Sequence, residues 1–224
     1  MNERQLFANL SKGHIMESTN NSVNITNSKI RLCVYRAAVN WMEWQKCYEH
    51  MGAIKTNPIL ENEEYFTQFI QEYGLRWLGN IKEQNIFRIA IAKSKLFENA
   101  IKTNDTRIID RCVEKIKSRN GKHQMSAISK IATFVAPGYF MPIDKYAKKG
   151  LKKFGAKPKY YNNYSTFITS IQQYAEPHLK IRILKEIKLT GLDRLITNKE
   201  GFYLRVLDVT LMTLGGRWSK QNQN

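Results

Sequence analysis

The stretch that decides the fold runs from Ser118 to Gly155 and reads SRNGKHQMSAISKIATFVAPGYFMPIDKYAKKGLKKFG. The pair Asn120-Gly121 is typical of a turn, because both residues tolerate backbone conformations that most residues avoid. The apolar run from Ser126 to Val135 then predicts a short, strongly apolar helix. We therefore expect a turn that leads directly into a buried helix.

A second, basic helix is predicted after the apolar one. Pro142 disfavours helical backbone before it, so the chain enters Ile143 and Asp144 in an extended conformation. Asp144 is a favoured N-cap residue and begins a run rich in lysine. Gly155 ends that run, as glycine commonly does after a helix. The stretch therefore encodes two short helices joined by an extended link.

Working outward, apolar residues recur at helical spacing along most of the chain, and no strand pair with an Asn-Gly or Asp-Gly turn intervenes. The predicted buried stripes are Leu32, Tyr35, Ala38, Val39 and Met42; Tyr65, Phe66, Phe69, Ile70 and Tyr73; Phe87, Ile91 and Phe97; Ile108, Ile109, Cys112, Val113 and Ile116; Tyr164, Phe167, Ile168 and Ile171; Phe202, Val206, Val209 and Met212. The pair Gly215-Gly216 is expected to end the last helix. We predict an all-α protein of roughly eight to ten short helices. Residues 28–218 form its single compact domain, between a flexible polar arm, residues 1–27, and a flexible tail, residues 219–224.

The charge of the chain points to its class of partner. The 224 residues include 36 Lys and Arg against 19 Asp and Glu, a net charge of +17. A compact protein tolerates such self-repulsion best when its partner is a polyanion, so we expect a nucleic acid. The apolar share of 42% excludes a wholly disordered chain. We see no apolar run of membrane-spanning length and no signal peptide, so no membrane partner is expected.

The cysteines indicate a reducing compartment. Cys33, Cys47 and Cys112 are odd in number and far apart, and none has the spacing of a zinc site. Free thiols of this kind are typical of a cytoplasmic protein. We therefore expect a cytoplasmic location, no metal and no cofactor.

The stretch 118–155 resembles the helix-hairpin-helix DNA glycosylase superfamily, especially its bacterial oxoguanine-glycosylase-like branch. In that family a hairpin and a short helix lead to a Pro-(Val/Ile)-Asp element, which Pro142-Ile143-Asp144 matches residue by residue. The segment from Ser129 to Phe134 occupies the place of the apolar helix. The resemblance implies a multi-helix domain of the glycosylase type and a catalytic carboxylate at Asp144. The rest of the chain matches only as a helical domain of suitable size.

Two departures from the family pattern affect the expected chemistry. The Leu-Pro-Gly-Val-Gly hairpin is absent, and only Gly121 remains. Lyase-type relatives carry a nucleophilic lysine upstream of the Asp, at a register where this chain has Met125 or Ala127. Lys122 and Lys130 bracket that register without matching it. We therefore expect a monofunctional enzyme without lyase activity, and leave open whether Lys122 or Lys130 supplies any.

Asp144 and the lysines after it are the candidate catalytic and DNA-binding residues. Cleavage of an N-glycosidic bond places positive charge on the deoxyribose. A carboxylate either stabilises that charge or activates a water molecule that attacks the sugar. A purely structural N-cap explains Asp144 equally simply. Single-signed lysine runs favour phosphate contact over a merely solvated face. The candidate DNA-binding residues are Lys122, Lys145, Lys148, Lys149, Lys152 and Lys153.

Base chemistry also needs a pocket for an extruded nucleotide, lined by aromatic and hydrogen-bonding groups. The candidate pocket residues are Trp41, Trp44, His123, Gln124, Tyr139 and Phe140. Each of the aromatic ones is also a plausible core residue, and a polar surface turn would account for His123 and Gln124.

The sequence therefore predicts a monomeric DNA glycosylase that binds double-stranded DNA and excises a damaged or modified base, leaving an abasic site. Some bacterial members of the resembled family look like defence enzymes that act on phages with modified DNA. The resemblance therefore implies a defence role as one expectation for this chain. The main alternative is a non-catalytic helical DNA-binding protein. An RNA-binding or RNA-cleaving toxin would need a His/Arg pair or paired carboxylates, and no such cluster stands out.

Overall fold

The computed structural model describes residues 23–50, 52–75, 78–103, 105–115, 124–157 and 163–218. These residues contain twelve α-helices and no strand, so the predicted all-α class is confirmed. The helices are α1 Asn27–Glu43, α2 Gln45–Tyr48, α3 Pro58–Glu61, α4 Glu63–Glu72, α5 Ile81–Lys93, α6 Leu96–Thr103, α7 Arg107–Lys115, α8 Met125–Val135, α9 Lys145–Lys153, α10 Tyr164–Ser170, α11 Glu176–Leu189 and α12 Lys199–Leu214. A π-helical turn, Ile171–Ala175, joins α10 to α11, and 3₁₀ turns occupy Ile54–Thr56 and Leu192–Arg194. The helices outnumber the expected eight to ten because α2 and α3 are single turns.

Asparagine is the N-cap residue of several of these helices. Its side chain accepts a hydrogen bond from a first-turn N–H, a donor that has no partner within the helix. These N-caps are Asn57, Asn62, Asn80, Asn163 and Asn198. Asn80 also forms a capping box with Glu83. The short helices of this basic chain are thus delimited by local sequence.

The predicted buried stripe of α1 was right at Ala38 and wrong at its other four residues. Leu32, Tyr35, Val39 and Met42 are exposed. The buried face instead comprises Ile30, Cys33, Val34, Ala37, Ala38 and Trp41. Both faces of this helix are apolar, so periodicity alone does not select one. The face that carries the small residues and Trp41 packs against α12 and is covered.

The other predicted stripes agree with the structure where their side chains are described. The confirmed buried residues are Phe66, Phe69, Ile70, Phe87, Ile91, Ile108, Ile109, Cys112, Val113, Tyr164, Phe167, Ile171, Phe202, Val206, Val209 and Met212. Tyr65, Tyr73 and Ile168 are partly buried against this core. The side chain of Phe97 and residue Ile116 lie outside the described part of the chain.

The packed part of the chain begins before Ser28. Ile25 is buried, and the Thr26 side chain caps α1 by accepting a hydrogen bond from the Lys29 N–H. Residues 1–22 and 219–224, most of the predicted arm and the whole tail, lie outside the described residues. No helix in the described ranges is both long and apolar enough to cross a bilayer. The three cysteines are buried free thiols.

Helix α12 is the central element and positions the region around Asp144. Almost every residue from Gly201 to Met212 is buried, and α12 packs against both α1 and α9. Its contact with α9 is backbone to backbone: a Cβ on Gly150 would overlap the Leu211 carbonyl, and a Cβ on Gly215 would overlap the Tyr146 carbonyl. Only glycine permits this approach. The first turn of α9 is therefore held against the end of α12.

Candidate active site

Asp144 is the N-cap of α9, as the sequence predicts. Its Oδ1 accepts hydrogen bonds from the backbone N–H groups of Tyr146 at 2.8 Å and Ala147 at 2.7 Å. Two bonds to one oxygen fix the orientation of the carboxylate, because rotating it would release two first-turn donors. The side chain is 13% exposed, so it lies at the edge of the protein interior.

The extended link before Asp144 is anchored by two residues that sequence reasoning did not select. The Ile143 N–H donates to the Ser129 hydroxyl at 3.1 Å, which ties the link to α8. The Tyr164 hydroxyl accepts from the Met141 N–H at 2.9 Å and donates to the Met141 carbonyl at 3.0 Å. All of these groups are buried, so the bonds hold the link in one place. The sequence does contain a signal for Ser129, because it is a polar residue within a strongly apolar helix.

The second oxygen of Asp144 faces a cation. Arg217 Nη1 lies 3.5 Å from Asp144 Oδ2, and the Arg217 side chain is 40% exposed. The long separation and the exposure indicate a weak ion pair. Oδ1 is therefore committed to the helix cap, while Oδ2 is the oxygen available to a ligand that displaces Arg217.

Lys130 on α8 belongs to the same region. Its Nζ donates to the Tyr73 carbonyl at 3.1 Å. Burial lowers the pKa of Lys130, while the charge of Asp144 acts against that shift. Sequence reasoning named Lys130 only as a lysine near an expected register. In the structure its amine is partly buried and bound to a backbone carbonyl.

A buried polar cluster lies beneath this region, and sequence reasoning missed it. Asp208 and Arg205, both on α12, form a buried ion pair. The Arg205 Nε donates to Asn40 Oδ1 at 3.0 Å, and the Asn40 amide donates to the Tyr73 hydroxyl at 2.9 Å. Asp208 Oδ1 has no hydrogen-bond partner among the described residues. No local motif links Asn40 and Tyr73 to the Arg205–Asp208 pair, because they meet only through the packing of α1 and the end of α4 against α12.

Asp208 holds its proton more strongly than an ordinary carboxyl group. Burial raises the pKa of Asp208 to about 7, and the charge of Asp144 acts in the same direction. The positive charges of Arg205, Arg217 and Lys130 oppose the shift. Asp208 and Asp144 therefore repel each other when both carry negative charge.

The lysines of α9 form an exposed basic face beside Asp144. Lys145, Lys149, Lys152 and Lys153 are exposed, whereas Lys148 is half-buried and burial lowers its pKa. The Nζ atoms of Lys145 and Lys149 lie 5.0 and 5.9 Å from the centre of the Tyr146 ring. The opposite face, Ala147, Gly150 and Leu151, is buried. Lys122 lies outside the described residues.

The structure does not assemble the expected aromatic pocket. Trp41 and Trp44 are each 2% exposed and belong to the core. Trp41 stacks on Tyr48 at 4.3 Å, and Trp44 contacts the Phe134 ring edge-on at 5.3 Å. Tryptophans at helical spacing point to one helix face, and here that face is buried.

Of the other described pocket candidates, two are buried and one is exposed. Gln124 precedes α8 and is 5% exposed, and Phe140 is buried against Tyr164. Tyr139 is 47% exposed and is the one described pocket candidate with a large open surface. His123 lies outside the described residues.

An open cavity of about 230 Å³ lies elsewhere, between α11, the 3₁₀ turn after it and α12. Its lining includes Leu184, Ile187, Asp193, Ile196 and Phe202, and none of the residues around Asp144. The described residues contain no group of three His, Cys, Asp or Glu side chains that would hold a metal ion.

Comparison of the chain with protein-family models, with curated proteins and with solved structures gave no match in any of the three.

Proposed function

We propose that the protein is a DNA glycosylase that hydrolyses the N-glycosidic bond of a damaged or modified base, with Asp144 as its catalytic carboxylate. The observation that carries the proposal is the arrangement of the two Asp144 oxygens beside a basic face. Oδ1 is fixed by two backbone donors, and Oδ2 remains at the protein edge. A fixed carboxylate is suited to stabilising charge that develops in a transition state, because it needs no reorganisation.

The mechanism follows from that arrangement. The phosphates of the target strand contact the α9 lysines, which places the deoxyribose near the first turn of the helix. As the bond to the base breaks, Asp144 Oδ2 stabilises the oxocarbenium-like sugar or accepts a proton from the attacking water. Water completes the hydrolysis and leaves an abasic site. Met125 and Ala127 stand where lyase-type relatives carry their amine, which supports hydrolysis without strand cleavage.

One observation favours the alternative of a non-catalytic DNA-binding protein. The double N-cap bond of Asp144 is by itself sufficient structural reason for an aspartate at this position. A non-catalytic protein would still bind DNA through the basic face, but Asp144 Oδ2 would have no chemical role. The two functions therefore differ in base release and agree in DNA binding.

The proposal is tested by incubating the protein with duplexes that carry an oxidised purine, an alkylated base or a glucosylated cytosine, followed by mild alkali. Alkali-sensitive breaks at one modified position, absent with Asp144→Asn, support the glycosylase. Tight binding of all the duplexes without breaks in any supports the alternative. Release of a hypermodified base would further support a role in defence against phages with modified DNA.

A further inference from the structure

The indole of Trp218 contacts two guanidinium groups, and one of them, that of Arg217, lies beside Asp144. The Arg36 Cζ lies 4.6 Å from the centre of the Trp218 ring, and the Arg217 Cζ lies 5.4 Å from it. Arg36 comes from the middle of α1, whereas Arg217 and Trp218 follow α12. Two cations from distant parts of the chain are therefore held on one aromatic ring.

The turn after α12 creates this arrangement. The helix ends at Leu214, and Gly216 has a φ of +88°, a conformation that favours glycine. The Arg217 N–H donates to the Met212 carbonyl at 3.1 Å, so the chain folds back over the helix end. The close contact of Gly215 with Tyr146 brings this turn to the start of α9.

The charges in this cluster are unbalanced. In the described part of the chain Arg36 has no acidic partner in an ion pair, and Arg217 has only the weak pair with Asp144. Lys145, next to Asp144 in sequence, is also exposed. Two guanidinium groups on one ring repel each other, and an anion that contacts both offsets the repulsion. Guanidinium groups oriented by an aromatic ring suit a phosphate, because each presents several N–H donors in a planar fork.

We propose that Arg36 and Arg217, oriented by Trp218, bind one phosphate of the DNA strand directly beside Asp144, and that this phosphate draws Arg217 away from Asp144 Oδ2. The proposal rests on the proposed function for the identity of the strand. This phosphate site is separate from the one formed by the α9 lysines. It also gives Arg217 a functional role beside the Asp144 carboxylate. In the free protein Arg217 covers Oδ2, and the bound strand uncovers it.

The test uses a duplex with a tetrahydrofuran abasic analogue, so that binding is measured without base release. Because the two arginines share one phosphate, the double variant Arg36→Gln, Arg217→Gln should reduce the magnitude of the slope of log K against log salt by about 0.9, the value for one lost phosphate contact. Each single substitution should reduce it by no more than the double variant does. Arg36→Lys and Arg217→Lys retain the charge and should retain the slope. Arg194→Gln, which removes an exposed arginine from the 3₁₀ turn after α11, should leave the slope unchanged. An unchanged slope for the Arg36→Gln, Arg217→Gln double variant would overturn the phosphate site.

A double-mutant cycle tests the withdrawal of Arg217. If phosphate and Asp144 compete for Arg217, then Asp144→Asn should tighten binding about two- to five-fold when Arg217 is present, as expected for removal of a weak ion pair. The same substitution should change nothing in an Arg217→Gln background. Equal tightening in both backgrounds would show only general charge repulsion and would overturn the competition.

These outcomes are separable from the glycosylase assignment. Slopes that fall as expected, together with no base release from any modified duplex, would support the phosphate site and refute the enzyme. Base release that depends on Asp144, together with unchanged slopes, would support the enzyme and refute the site.

Discussion

Gly215 at the end of α12 touches Tyr146 in the first turn of α9 through the backbone, and a Cβ on Gly215 would overlap the Tyr146 carbonyl. This contact holds the Asp144 cap beside Arg217, which follows Gly215 by two residues. We predict that Gly215→Ala forces the two helices apart and lowers the free energy of unfolding by about 1–3 kcal/mol, as overpacking does elsewhere. The urea midpoint measures this change.

Gly74→Ala is the control for that substitution. Gly74 has a φ of +64° and open space around its Cβ position, so alanine there costs backbone strain of about 1–2 kcal/mol without moving a helix. Gly215→Ala should therefore reduce base release, whereas Gly74→Ala should not. A Gly215→Ala protein with the midpoint and activity of the wild type would contradict a close contact between α9 and α12.

The exposed lysines of α9 give the second prediction. Lys149→Glu with Lys152→Glu should weaken binding to every duplex about equally at low salt, because phosphate contacts position the strand without reading its sequence. The preferred base should not change. Lys93→Glu with Lys95→Glu makes the same change in net charge on exposed residues at and just after the end of α5. Equal losses from the two double variants would remove α9 from the DNA-binding surface.

The third prediction concerns lyase chemistry. Borohydride added during turnover should trap no covalent adduct between protein and DNA, because residues 125 and 127 are not amines. Lys130 is the critical residue, since burial lowers its pKa and leaves more of the amine neutral at a given pH. A trapped adduct that mass spectrometry maps to Lys130, and that Lys130→Met abolishes, would show a bifunctional enzyme.

The fourth prediction is a pH dependence of stability. The pKa of Asp208 is raised to about 7 in the folded protein, against an ordinary value of 3.8. Between these values the folded protein holds a proton that the unfolded chain releases, so this contribution to stability is present in acid and is lost as the pH rises from about 4 to about 7.

Asp208→Asn should flatten that part of the profile. Urea unfolding of both proteins at about pH 5 and about pH 8 measures the effect, and the wild type should lose more stability between the two. Comparison of the two proteins cancels the other titrating groups, including Glu200, whose pKa burial also raises. Parallel profiles for the two proteins would show that Asp208 does not take up a proton in this range.

Local sequence predicted the parts of the site that depend on local conformation. Met125–Val135 lies within one residue of the expected apolar helix, Asp144 is the expected N-cap, and Gly215-Gly216 ends the last helix. Each of these depends on the preferences of a few adjacent residues. Caps and helix stops are encoded within one turn of the chain.

Tertiary packing decided the rest. The apolar face of α1 that becomes buried depends on what α12 presents to it, and Trp41 and Trp44 follow that choice into the core. The bond from Arg205 to Asn40 joins residues far apart in sequence, although Arg205 and its partner Asp208 lie one turn apart on α12. The link before α9 is tied to α8 by Ser129, fourteen residues before Ile143. The contacts between different helices have no periodicity or spacing that a single sequence displays.

The most direct measurement of the central claim is single-turnover base release by wild-type protein and Asp144→Asn on the modified duplex that the wild type cleaves. Asn is also a good N-cap, so α9 should lose only a few tenths of a kcal/mol and DNA affinity should stay within about five-fold. Removal of the carboxylate should slow base release by on the order of a hundred-fold or more. A folded Asp144→Asn protein that binds the duplex and releases the base at the wild-type rate would contradict the catalytic assignment.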